Sequence, residues 1–212
     1  TNETPTVTLL LSLEGGPLLD PIDKSGLASF TAQMMNESTS QSSNEELANR
    51  LELLGSRVSF AAGGRYTQIS VSSLVKNLDK TLQILQEKLF SPAFLEADFL
   101  RIKESLIQQQ QQAIKTPSVL ASRAVNQLMY GLNNRIAFPD SGTIETIGNI
   151  TLQDVKDFYQ SHYSPTHANL VIVGDINETE MKKQISFLTQ WQGPDYQIPE
   201  FKPFPEYENS SI

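Results

Sequence analysis

Gly26-Leu27-Ala28-Ser29-Phe30-Thr31-Ala32-Gln33-Met34-Met35 is the stretch from which the rest of the chain is best read. Leu27, Phe30 and Met34 recur at i, i+3 and i+7, the spacing of a helix with one face in a core. Ser29, Ala32 and Gln33 stand at i, i+3 and i+4, so their side chains leave the helix together from a neighbouring face. Those three places hold a hydroxyl, a methyl and an amide. A helix with one apolar stripe needs a second layer to cover it, and the flanking segments read as strands.

Upstream, Thr6–Leu13 is an apolar run (Val7, Leu9, Leu10, Leu11, Leu13) that predicts a buried strand. Gly15-Gly16-Pro17 ends it, and residues 20–25 form the loop into the opening helix, which is expected to run to about Asn36. Downstream, Ser43-x-x-Glu46 is a capping box for a helix with Leu47, Leu51 and Leu54 on its inner stripe and Gly55 at its end. Val58, Phe60 and Ala62 alternate before Gly63-Gly64; Thr67, Ile69 and Val71 alternate after it. This is an antiparallel hairpin. Asn77 is expected to cap a helix carrying Leu78, Leu82, Leu85 and Leu89. Beyond Ser91-Pro92, a long helix covers roughly 95–115 until Thr116-Pro117, which starts another reaching Tyr130 and Gly131. Residues 133–142 read as loop, 143–147 as a helical turn at most, and Thr151-x-x-Asp154 caps a helix through Val155, Phe158 and Tyr159. Ala168–Gly174 is expected as a central strand, and Asn177 caps a helix with Met181, Ile185 and Leu188 inward. The order gives an α+β fold, a largely antiparallel sheet with helices packed over one face. Residues 1–192 form one domain. Residues 193–212, with Pro194, Pro199, Pro203 and Pro205 among Phe201, Phe204 and Tyr207, are expected to form a proline-rich connector to a following domain.

Bulk composition narrows the function. Sixteen basic against 24 acidic residues, net −8, argue against a nucleic-acid surface or a binder of anionic membranes. No apolar run approaches the ~20 residues that span a bilayer, and Thr1–Thr6 does not read as a signal peptide. The absence of cysteine removes disulfides and thiolate metal sites and leaves the redox compartment open. His162 and His167 are the only histidines, five apart across Pro165, so they share no helix face. They read as a helix-end and a loop histidine rather than a metal pair. Gln108–Gln112 reads as a solvated or interdomain face of the long helix, not as a low-complexity tract. No glycine pattern of a nucleophile elbow surrounds any serine.

Gly26, Leu27, Ala28, Phe30 and Met34 resemble the letters around the zinc motif of the pitrilysin/insulinase peptidases, whose inverted H-x-x-E-H places two imidazoles and a general-base carboxylate on one helix face. The resemblance covers nearly the whole chain. Glu14-Gly15-Gly16, Asp20-Pro21 and Lys24-Ser25-Gly26 look like the family's connection from first strand to zinc helix. Leu54-Gly55 with the following hairpin and residues 99–104 match its next elements. Ile147-x-Asn149-x-Thr151, Phe158-Tyr159, His162-Tyr163-Ser164-Pro165 and Val171-Ile172-Val173-Gly174-Asp175 resemble its closing signature, the most specific portion.

The resemblance implies a processing-peptidase-like metallohydrolase domain in which Ser29, Ala32 and Gln33 stand where the motif's chemistry would be. The third zinc ligand, ordinarily a glutamate, falls in register on Gln108, Gln109 or Gln110. A catalytic zinc needs three protein ligands, an open water position and an acid/base group. These residues supply none of the charge. The segment is therefore expected to have no catalytic, cofactor-binding or metal residues of its own, with zinc held by the catalytic half of the parent protein. The chain looks like the opening domain of a zinc-free second half that helps enclose a peptide and docks the catalytic half. Its implied partners are other domains of the same polypeptide or a homologous catalytic subunit, and a peptide substrate. The alternative is a structural or presequence-binding subunit of the processing-peptidase or respiratory-core type. Many two-half members live in the bacterial periplasm, which makes that compartment an expectation of the resemblance alone.

Overall fold

Val7, Leu9, Leu11 and Leu13 alternate with Thr8, Leu10 and Ser12, so one side of the first strand has to be covered. In the computed structural model, which describes residues 5–200, β1 (Thr6–Glu14) lies inside a four-stranded sheet. After it come β2 (Arg57–Gly63), β3 (Tyr66–Leu74) and β4 (Ala168–Gly174), in the spatial order β2-β3-β1-β4, all neighbours antiparallel. The hairpin register pairs Gly63 with Tyr66 and Phe60 with Ile69. Thr67, Ile69 and Val71 consequently face the same side as Leu9 and Leu11, and all five are buried.

Helices cover that side. They are α1 (Leu27–Met34), α2 (Asn44–Leu54), α3 (Leu78–Phe90), α4 (Glu96–Ala113), α5 (Pro117–Tyr130), α6 (Ile144–Asn149), α7 (Leu152–His162) and α8 (Glu178–Gln184). Among them α5 contributes no buried residue to that cover. Leu27, Phe30 and Met34 of α1 join Leu82 and Leu85 of α3, Phe99 and Ile102 of α4, and Phe158 of α7 in one core. The Phe30 and Phe99 rings stack with centroids 5.0 Å apart. Ser43 and Glu46 form the expected capping box on α2, Thr151 and Asp154 another on α7, and Gly55 ends α2 in the left-handed conformation.

Three expectations need adjustment. Ala168–Gly174 is an edge strand among the described residues, not a central one. It pairs only with β1, and Val171 and Val173 on its outward face are 51% and 66% exposed. An apolar run alone does not reveal how many neighbours a strand has. Asn77 stands at the start of α3 without capping it, because its side-chain amide donates instead to the Leu54 carbonyl, 2.7 Å away. The helical turn expected over 143–147 is a six-residue helix, with Thr143 and Thr146 as a reciprocal cap. Residues 193–200 carry neither helix nor strand. Within them Tyr196 is buried, with its hydroxyl donating to the Glu14 carbonyl at 2.8 Å. The part of the proline-rich connector with Phe201, Pro203, Phe204, Pro205 and Tyr207 lies outside the described residues.

Candidate functional site

The start of α1 is held by a carboxylate. Asp20 accepts from the backbone N–H groups of Gly26 and Ala28, both at 2.8 Å, satisfying donors that a helix N-terminus leaves unpaired. The Arg135 guanidinium reaches the same carboxylate from the loop before α6, at 3.0 Å, and both side chains are buried. Burial pushes the Asp20 carboxyl up to about 6, against the pull of Arg135 and the two N–H groups. Gly26, at φ 102°, and Gly142, at φ 76°, meet backbone to backbone, and a Cβ on Gly142 would lie 2.4 Å from the Ser25 carbonyl oxygen. This close approach brings residues 139–142 onto α1.

The three motif positions then fall as follows. Ser29 is half-buried; its Oγ is 2.8 Å from the Asp140 carbonyl and 3.2 Å from the Ala62 carbonyl, with one proton to share between them. Ala32 is fully buried, and Gln33 is half-buried. Just beyond the helix, the Asn36 amide donates to the Phe60 carbonyl at 2.9 Å and its oxygen accepts from the Phe60 N–H at 2.9 Å. The Gly64 N–H donates to Asp140 Oδ2 at 2.7 Å. Outward-facing backbone groups of β2 at Phe60 and Ala62, and that of Gly64 in the hairpin turn, are therefore met by side chains rather than by another strand.

Of the three glutamines in the third-ligand register, Gln110 is the buried one. Gln108 and Gln109 are exposed and bond back along α4 to Glu104 and Ser105. Gln110 Oε1 accepts from the Arg123 guanidinium at 2.6 Å, and its Nε2 is 3.3 Å from Ser141 Oγ. The structure thus brings Ser29 and Gln110 to adjacent residues, Asp140 and Ser141, of one loop. Among the described residues no group of three His, Cys, Asp or Glu side chains could hold a metal ion. His162 and His167 come closer than their spacing suggests, with both rings against the Tyr196 ring, at 5.3 and 4.7 Å. His167 Nε2 donates to the Tyr196 carbonyl at 2.9 Å, which marks a packing role.

Sequence reasoning missed Arg123, Arg135 and Asn36. Arg123 is the only basic residue of α5, a signal that was available. The partners of Arg135 and Asn36 lie 115 and 24 positions away, beyond the reach of local pattern.

Comparison with known proteins places the chain in context. The family described as "Insulinase (Peptidase family M16)" matches residues 1–139, and "Peptidase M16 inactive domain" matches residues 149–211. The chain is 21% identical over 157 residues to the "Uncharacterized zinc protease YmxG" of Bacillus subtilis, covering 74% of this chain and 38% of that protein. It is 25% identical over 194 residues to the "Non-peptidase homolog YmxG" of Helicobacter pylori, covering 91% of this chain and 45% of that one. A crystal structure of a peptidase M16 inactive domain from Pseudomonas fluorescens shares the fold, with a TM-score of 0.86 at 22% identity over 97% of this chain and 50% of the other. The chain spans less than half the length of these two curated relatives.

Proposed function

The chain belongs to the insulinase family of peptidases (M16), and from that premise we propose that it is a non-catalytic domain whose zinc site has been dismantled. It would complete the wall of a peptide-enclosing chamber and dock the catalytic half of its parent protein. Residues 1–192 would serve as that domain and 193–212 as the connector to the next. The observation that carries the reading is the pairing of Gln110 with Arg123. On this reading Gln110 stands where a ligand carboxylate would be, a neutral amide whose oxygen accepts from the Arg123 guanidinium. A hydroxyl engaged with backbone carbonyls (Ser29) and a buried methyl (Ala32) complete the set. These residues do not fit a zinc ion, which needs anionic or imidazole donors, nor do they offer a base for its water. The capped edge of β2 favours a wall over a grip, since a peptide adding as a strand at Phe60 or Ala62 would first have to displace Asn36 and Ser29.

Zinc titration of the chain by calorimetry tests this directly. The expected result is no site tighter than about micromolar, against a stoichiometric complex if the reading is wrong. Peptide cleavage should appear in the full-length parent and not in this chain. A second reading, an assembly or presequence-binding subunit without peptidase activity, is favoured by the similarity over 91% of the chain to a protein named a non-peptidase homolog. An H-x-x-E-H motif elsewhere in the parent's reading frame supports the first reading, and its absence supports the second.

A further inference from the structure

Between α4, α5 and residues 137–141 lies a cavity of about 380 Å³, open to solvent, beside the Gln110–Arg123 pair. Arg123 stands in its wall. The other polar groups around it are neutral (Ser122, Asn126, Ser141 and the Gln110 amide), while Val119 and Pro139 provide an apolar side. No acidic side chain lines it. Among the described residues no carboxylate stands within ion-pair distance of Arg123, whose guanidinium donates to Gln110 Oε1 at 2.6 Å and lines the cavity. In a chain of net charge −8, a half-buried cation facing a cavity without an acidic partner is a local exception. Asp140, the nearest acid in sequence, is directed elsewhere, to Gly64 N–H and toward Arg135.

We propose that this cavity binds a carboxylate carried on a short peptide-like molecule. A guanidinium offers a planar fork of donors that matches a carboxylate, and charge-assisted bonds of this kind are the strong ones. Gln110 holds the fork in place, so little side-chain freedom is lost on binding. Ser122, Asn126 and Ser141 suit the amide groups next to the carboxylate, and Val119 with Pro139 suits an aliphatic side chain. The volume matches one or two residues, within the usual range of small-molecule clefts. A peptide's C-terminus and an acidic side chain share this chemistry. The proposal holds whether or not the chain serves in a chamber, because it needs no metal and no catalytic half.

The test uses the full chain and three probes: N-acetyl-dialanine as the free acid, the same dipeptide as its C-terminal amide, and N-acetyl-Ala-Glu-Ala-amide. Binding is followed by NMR shifts of α5 amides. The free acid should saturate in the millimolar range, with the amide weaker by about tenfold or more. Arg123→Gln should abolish the difference between acid and amide, and Val119→Trp should weaken the acid by filling the cavity. Arg123 and Val119 themselves lie outside the hydrophobic core, so circular dichroism should be unchanged. Binding of the glutamate peptide in place of the dipeptide acid would assign the carboxylate to a side chain. Equal affinity for acid and amide, an unchanged preference in Arg123→Gln, or no saturable binding by either carboxylate would overturn the proposal.

Discussion

Two helices of this chain have opposite situations. In α1, six of eight residues are buried, and its ends are tied by Asp20 and Asn36. In α5, none of fourteen is buried; Leu120, Val125 and Met129 are each about half exposed, and its main neighbour is the turn at Arg135–Ala137. The first helix is stable because of what covers it. A solitary helix of the second's length is marginal in water, and α5 relies on good formers such as Ala121, Ala124 and Gln127 and on Pro117 at its first position. The contrast sets the two helices that meet the candidate site apart. On α1, Ala32 is sealed into the fold while Ser29 and Gln33 are half-buried. Arg123, which meets Gln110 from the opposite helix, lies on an α5 none of whose residues is buried.

The largest effect should come from breaking α1. Phe30→Ala removes a fully buried ring stacked on Phe99 and should cost about 3–5 kcal/mol in denaturant unfolding, with the midpoint shifted and the slope unchanged.

A smaller and pH-dependent effect should come from the carboxylate that starts the helix. Asp20 has a folded-state pKa raised to about 6, above its ordinary value, so between about pH 4 and 6 the folded chain holds the proton more tightly than the unfolded chain. Its contribution to stability is therefore greatest at low pH and falls as pH rises through that window. Comparing wild type with Asp20→Asn isolates it, because the carboxylates with lowered pKa, such as Asp154 and Glu87, titrate alike in both. The difference in unfolding free energy should move against wild type by about 1–3 kcal/mol from pH 4 to 7 and stay level above. A flat difference would mean that the carboxylate is ionised throughout.

The smallest effect belongs to α5. Val125→Ser should change stability by less than about 0.5 kcal/mol, since its side chain is half exposed; a larger loss would show that α5 depends on its apolar face.

The parts legible in the sequence are those with a local cause. β1 could be read from its apolar run, the hairpin from Gly63-Gly64 between two period-two runs, and α2 and α7 from their capping boxes, because each signal lies within a few residues of what it determines. The neighbours of β4 could not, since pairing on one side or two leaves the same apolar letters. At the candidate site, helical spacing placed Ser29, Ala32 and Gln33, and the resemblance narrowed the third position to three glutamines. Telling which of the three is buried required knowing which side of α4 meets Arg123 and Ser141. That depends on how α5 turns back after Pro117, which is a matter of packing.

Asn36 has a further consequence for how this chain behaves in a crowded solution. By matching both the N–H and the C=O of Phe60, its side chain imitates a neighbouring strand for one residue and blunts that margin of the sheet against recruitment by other chains.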